Sequence, residues 1–233
     1  MLANLNRQLF EATVFDSGAL GLTTSIVHQF TVAGVYSATV RKDGKHMGNV
    51  SFEVRDDATS MQLDIDLAKT QQGSKDGCCC GTEAGQPVSS KGYVVFHTTA
   101  GTGWSVHVGE GKQASFDSTR LTKGDIFALT LLEPTRYGIE NKLGSAKGSV
   151  TVEFTKGDAK RLSDLKPIMV TAGKKFDPEN FKLIATQGLV FRIETDARIV
   201  ISRKEPRKAE PDKGHIRFQR PRIVETRPAR KAS

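Results

Sequence analysis

The residues best equipped for chemistry are three consecutive thiols, Cys78, Cys79 and Cys80, set in the stretch QQGSKDGCCCGTEAGQPVSSKG. Thiolates are soft ligands, so such a run could hold Cu(I) or Zn if other donors joined it. His46-Met47 on a hairpin, with His97 and His107 on neighbouring strands, offers such donors. The spacing argues the other way, because no second C-x-x-C follows and adjacent cysteines pair with each other only under strain. An odd number of thiols cannot pair fully within the chain, so no disulfide framework is expected, in keeping with a reducing, cytoplasmic setting. Soft-metal binding through Cys78, Cys79 and Cys80 stands as an alternative function, and no resident cofactor is expected.

Aspartate is the next candidate, since Asp16, Asp117 and Asp177 each follow a phenylalanine in a similar context. Active sites are seldom triplicated in one chain, whereas an aspartate that bonds its own backbone at a turn is expected at each equivalent corner. The aspartates are therefore read as structural. No G-x-S-x-G elbow, phosphate-cradling G-x-x-x-x-G-K-[ST] loop, H-E-x-x-H or dinucleotide fingerprint is present. A non-enzymatic role is expected.

Charge is placed very unevenly. The formal net charge is +8, and Arg203 to Ser233 contributes +7 of it, from seven Arg and four Lys against three Glu and one Asp. Four of the eight prolines, Pro206, Pro211, Pro221 and Pro228, fall in the same segment and limit its collapse. This basic arm is the best candidate for a functional surface, through Arg203, Lys204, Arg207, Lys208, Arg217, Arg220, Arg222, Arg227, Arg230 and Lys231. It could lie along an acidic neighbouring subunit, the phosphates of nucleic acid or an anionic surface. Only Phe218 interrupts it as an aromatic, so base stacking is unsupported and binding would follow the backbone and be sensitive to salt.

These residues are carried by a chain of 233 residues whose 37% hydrophobic and 26% charged content is ordinary for a globular protein. No apolar stretch reaches the roughly 18 to 20 residues of a membrane span, and the amino end lacks the pattern of a secretory signal. The elements repeat. Phe15-Asp16-Ser17-Gly18-Ala19-Leu20 recurs as Phe116-Asp117-Ser118-Thr119-Arg120-Leu121, and at the same offset of 101 residues Ile26 falls on Phe127, Phe30 on Leu131 and Tyr36 on Tyr137. The register then slips by one, so that Gly48 to Phe52 matches Gly148 to Val152. A weaker third copy starts at Phe176, continues through Leu189 to Ile193 and closes at Gly214 to Phe218.

Each copy alternates apolar and polar residues with the period of a half-buried antiparallel strand, as in Tyr36, Ala38, Val40 and Val150, Val152, Phe154. Strands from Leu9 to Val14, Trp104 to Val108 and Ile168 to Thr171 are expected to lead into the copies. Lys42-Asp43-Gly44 and Asn141-Lys142-Leu143-Gly144 carry hairpin chemistry. Tyr36 and Tyr137 are expected to pack inward with the hydroxyl at the edge, and Trp104 to anchor the start of the second unit.

The order F-D-x-x-x-L, then Gly124-Asp125 before Ile126-Phe127, a P-x-x-Y strand from Pro134 to Tyr137, and G-x-V-x-V from Gly148 to Val152 resembles the cupredoxin-like β-sandwich. The resemblance covers 116–154 best, then 15–54, then 176–218. Immunoglobulin-like sandwiches share this strand grammar and are the alternative. Copper-binding cupredoxins use an early His and a late Cys-His-Met cluster, which the closing hairpins here lack, so no blue-copper site is expected. The expected fold is all-β, tandem small antiparallel β-sandwiches with a basic carboxyl-terminal arm. Its units are 1–70, 92–157 and 158–220, with a Gly/Ser/Cys-rich linker at 71–91 and a tail at 221–233; the alternative is that the third completes the second. The expected role is a structural or interaction subunit whose partners are its own copies or an acidic protein.

Overall fold

The computed structural model describes residues 8–72, 87–110, 113–154 and 165–204. The fold is all-β. The strands are β1 (Val14–Asp16), β2 (Thr24–His28), β3 (Gly34–Lys42), β4 (Lys45–Arg55), β5 (Ser60–Asp66), β6 (Val88–His97), β7 (Trp104–Glu110) and β8 (Gln113–Asp117). They continue as β9 (Ile126–Thr130), β10 (Arg136–Asn141), β11 (Lys147–Glu153), β12 (Ile168–Ala172), β13 (Phe176–Asp177), β14 (Asn180–Ile184), β15 (Gly188–Ile193) and β16 (Ile199–Arg203). A one-turn helix at Gln8–Glu11 and a 3-10 helix at Leu67–Gln72 are the helical elements among the described residues. No helix there is long and apolar enough to cross a membrane. The strand expected from Leu9 is replaced by that helical turn, because QLFE lacks the β-branched residues that favour a pleated chain.

Period-two alternation does set the buried faces. Tyr36, Ala38 and Val40 of β3, Val106 and Val108 of β7, and Ile199 and Ile201 of β16 are buried, while the residues between them face outward. The sheets, however, are mixed rather than antiparallel throughout, with parallel pairs β4–β6, β5–β6, β11–β14 and β12–β15. One sheet has five strands in the order β1-β16-β10-β11-β14. The other has eleven, in the order β13-β12-β15-β9-β2-β6-β4-β3-β7-β8 with β5 also on β6, and it runs through both sequence copies.

Equivalent strands make equivalent pairs. β3 lies between β4 and β7 as β10 lies between β11 and β16. β6 joins β2 and β5 as β15 joins β9 and β12. β2 and β9 then pair with each other antiparallel, with Ile26 opposite its repeat mate Phe127. Residues 168–203 thus take, around β9 to β11, the pairing places that β5 to β7 take around β2 to β4. Strand pairing crosses the boundaries expected at 91 and 157. Phe176-Asp177, the start of the third copy, lies on β13 against β12 and not in the place of the other two F-D motifs.

Those two F-D-S-x-x-L motifs cross over between the halves. Phe15 sits opposite Ile201 of β16, and five residues later Leu20 exchanges both main-chain hydrogen bonds with Trp104 at the start of β7. Reciprocally, Phe116 sits opposite Val108 of β7 and Leu121 exchanges both bonds with Ala197, just before β16. Asp16 accepts the Gly18 N–H at 2.8 Å and Asp117 the Thr119 N–H at 2.8 Å, which makes both carboxylates turn-formers at the corner. The buried Ser17 and Ser118 hydroxyls accept the Ile199 and Val106 N–H groups at 3.1 and 3.0 Å. Leu20, Leu121 and Trp104 are buried at this junction, and the indole N–H of Trp104 donates to the Ala100 carbonyl at 2.8 Å.

The hairpin register corrects one expectation. Tyr36 pairs Phe52 whereas Tyr137 pairs Val150, so the offset falls from 101 to 98 residues rather than to 100. β3 and β4 continue past Thr39–Asn49 through a bulge at Val40/Arg41 to the Asp43-Gly44 turn, while β10 and β11 turn directly after Glu140–Lys147. Asp43 and Gly44 have φ of 50° and 78°, the conformation that two-residue hairpin turns require. Both tyrosines are buried, with hydroxyls donating to carbonyls four residues upstream, Tyr36 to Val32 and Tyr137 to Glu133.

Candidate interaction surface on the carboxyl-terminal sheet

β16 delivers the chain to the root of the basic arm. Arg203 and Lys204 are described; Arg207, Lys208, Arg217, Arg220, Arg222, Arg227, Arg230 and Lys231 lie outside the described residues, as do Cys78, Cys79 and Cys80. The two described cations differ. Arg203 is 18% exposed and forms an ion pair with Glu133, whereas Lys204 is exposed on the outer face of the sheet. Its N–H donates to the Arg136 carbonyl at 3.0 Å, and its aliphatic stem covers Gly138, where an added Cβ would fall 2.5 Å from Lys204 Cε. A glycine at that β10 position is what lets the lysine lie flat across the strand.

Register then brings further cations to Lys204. On the outer face β10 presents Arg136, Gly138 and Glu140, which pair with Thr151, Ser149 and Lys147 of β11. Lys142 bonds Glu140, and that hydrogen bond, with the nearby charges of Lys142, Lys147 and Lys204, holds the Glu140 carboxyl below its usual range. One carboxylate is thus surrounded by three ammonium groups. Lys182 on β14 adds another cation, paired with Glu153 at 2.8 Å. Among the described residues Arg136, Lys147 and Lys204 have no side-chain ion pair, so they give this face a cationic surplus continuous with the arm. Sequence reasoning missed Arg136 and Lys147, which sit in neutral-looking strands and meet Lys204 only through sheet register.

The histidines named as possible metal donors are not brought together. His46 lies on β4 and contacts Asn49, His97 on β6 and His107 on β7, and β6 and β7 are separated by β4 and β3. Among the described residues no three His, Cys, Asp or Glu side chains cluster as a metal site. The closest pairing of an imidazole with a carboxylate among the described residues lies between the halves, where half-buried His28 Nδ1 is 2.6 Å from buried Asp125 Oδ1. His28 is packed between Phe30 and Phe116 at ring distances of 4.5 and 4.6 Å, and Asp125 also accepts the Thr122 N–H. That pair braces the β2–β9 seam. No family model, curated protein or solved structure matches this chain.

Proposed function

We propose that this chain is a non-enzymatic structural or interaction subunit of a larger assembly, and that its basic arm, together with the outer face of the five-stranded sheet, contacts an acidic protein partner. The observation that carries the reading is charge placement: +7 of the net +8 lies from Arg203 onward. Arg136, Lys147 and Lys204 extend that cationic field onto ordered β-structure, where positions are held by register rather than by a tail. The scarcity of aromatics in the arm favours a protein surface over nucleic-acid bases. Each half is read as a sandwich-type unit, and the four parallel pairs fit the antiparallel immunoglobulin plan less well than a cupredoxin-like one. The cytoplasm is the proposed compartment, from the unpaired number of thiols.

The test is native mass spectrometry of gently purified protein at low salt under reducing conditions. Complexes with copies or an acidic protein are expected, and neutralising Lys204, Arg207, Lys208, Arg227, Arg230 and Lys231 should dissolve them. Unchanged assembly and partner binding at low and moderate salt would overturn the proposal. Stoichiometric copper or zinc on a monomer would do the same.

A further inference from the structure

The two F-D-S-x-x-L motifs make equivalent main-chain contacts. Each occupies a seat formed by β7 or β16 of one half and by a residue at or just before the start of the corresponding strand of the other, Trp104 for Leu20 and Ala197 for Leu121. In each the Ser N–H donates to a strand carbonyl, the Ser hydroxyl accepts a strand N–H, and Phe and Leu are buried. One short motif therefore satisfies the same seat in two different surroundings. Their tethers differ. Phe116-Asp117 is the end of β8, which is hairpinned to β7, whereas Val14–Leu20 lies between residues 8–13, whose Thr13 carbonyl accepts the Arg203 N–H, and the Gly21 to Thr23 connection to β2. The seat for Val14–Leu20 also has its own charged anchor. Arg198 Nε and Nη2 donate to the two Asp16 oxygens at 3.0 and 2.8 Å, whereas Asp117 has no guanidinium bonded to it: it accepts from Thr119, lies 3.8 Å from His107, and acts on Arg198 only through its charge.

We propose that the seat formed by Arg198 to Ser202 and Trp104 is a strand-binding site that takes the Val14–Leu20 segment of a second copy of this chain. The seat cannot distinguish its own segment from an identical one, so exchange leaves the Phe15, Asp16, Ser17 and Leu20 contacts unchanged. The cost lies in opening the turn that Gly21 closes with Thr24, in carrying residues 8–13 along with the segment, and in association. A reciprocal exchange closes a dimer, and a one-way exchange builds a chain of subunits. The site uses main-chain pairing and two side-chain anchors, and it works without the basic arm.

The experiment is directed disulfide trapping in full-length protein carrying Cys78→Ser, Cys79→Ser and Cys80→Ser. Thr13 and Ser17 bond Arg203 and Ile199 through the main chain, which leaves Val14 opposite Ser202 in the narrower, non-hydrogen-bonded kind of pair. Chains with Val14→Cys alone are mixed at high concentration with chains bearing Ser202→Cys alone, and the product is identified as the mixed peptide by mass. A covalent heterodimer is expected. Adding Arg198→Ala to the Ser202→Cys chain should lower its yield roughly tenfold, the scale of losing hydrogen bonds to a charged group. The double variant in one chain checks the seat, closing internally when dilute. Internal closure with no mixed product at any concentration would overturn the proposal, and so would failure of the double variant to close. Repeating the mixture with the arm neutralised separates this site from the arm, since the yield should not change.

Discussion

The two halves of the molecule share a pairing plan and differ in what they fill it with. Inside the first, Phe30, Tyr36, Phe52, Phe96 and Phe116 form a connected aromatic cluster with His28. The same places in the second half are held by Leu131, Tyr137, Val150, Phe191, Phe15 and Leu129. Outside, the order of weight is reversed. At matched register positions β3 and β4 present Val35, Ser37, Thr39 and Asn49, where β10 and β11 present Arg136, Gly138, Glu140 and Lys147. Apart from His28, which stands where the second half has Leu129, the inner faces differ in the size of apolar side chains, while the outer face of β10 and β11 carries cations where β3 and β4 have Val35, beside an acidic Glu53, and Asn49. A fold that needs only shape from its outer face leaves that face available for a partner.

Removing a crossover leucine should have the largest effect. Leu20→Ala and Leu121→Ala are each expected to cost about 2–5 kcal/mol, the range for a fully buried leucine. Urea denaturation reads this, and a large cost at one site with almost none at the other would break the equivalence of the halves. The corner aspartates sharpen the comparison. Asp16→Ala loses the Gly18 N–H and both Arg198 bonds and should cost about 2–3 kcal/mol, while Asp117→Ala, which loses Thr119 but no guanidinium hydrogen bond, should cost about 1 kcal/mol. A double-mutant cycle with Arg198→Ala should return most of the difference, and zero coupling would remove Arg198 as the anchor.

Asp66 gives a smaller difference, one that depends on pH. Burial opposes its ionisation, but the Thr99 hydroxyl and the Thr99 and Ala68 N–H groups outweigh burial and hold its carboxyl below the usual range. Since the folded value is the lower one, the stabilisation is present above about pH 4 and is lost as pH falls through the folded value. Asp66→Asn should cost about 1 kcal/mol at neutral pH and match the parent once the Asp66 carboxyl is protonated in both the folded and the unfolded chain. A difference that persists at low pH would contradict the assignment. Its counterpart in β12, Thr171, cannot titrate, so the dependence belongs to one half only. The outer faces should matter least for stability. Arg136→Glu with Lys147→Glu, or Val35→Glu with Asn49→Glu, should change unfolding free energy by about 0.5 kcal/mol or less per site, yet only the first pair should weaken partner binding.

The repeat was legible because Phe15-Asp16-Ser17 and Leu20 recur at a constant offset, and that offset continues to Tyr36. The corner role of Asp16 and Asp117 followed from the same recurrence. What the residues do not display is which edge a strand joins. Phe15 and Phe116 look alike in sequence, and nothing in their alternation says that one pairs β16 and the other β7. The hairpin slip was misjudged by two residues because glycines were matched at Gly48 and Gly148, whereas the tyrosine pairing sets the register. An even error left the buried face correct. The arm was legible from charge alone, but Arg136 and Lys147 were not, since ten residues of hairpin lie between them and only the pairing of β10 with β11 and β16 puts both on the face that Lys204 covers.

Binding to poly-L-glutamate as a function of salt, measured for the full chain and for Arg136→Glu, Lys147→Glu, Lys204→Glu, tests the central claim most directly. The account expects the parent to bind with an affinity that falls steeply as salt rises. The triple variant should bind more weakly and with a shallower slope, whereas Val35→Glu with Asn49→Glu should behave like the parent. Equal affinity and equal slope for parent and triple variant would show that the ordered cationic face plays no part in acidic recognition.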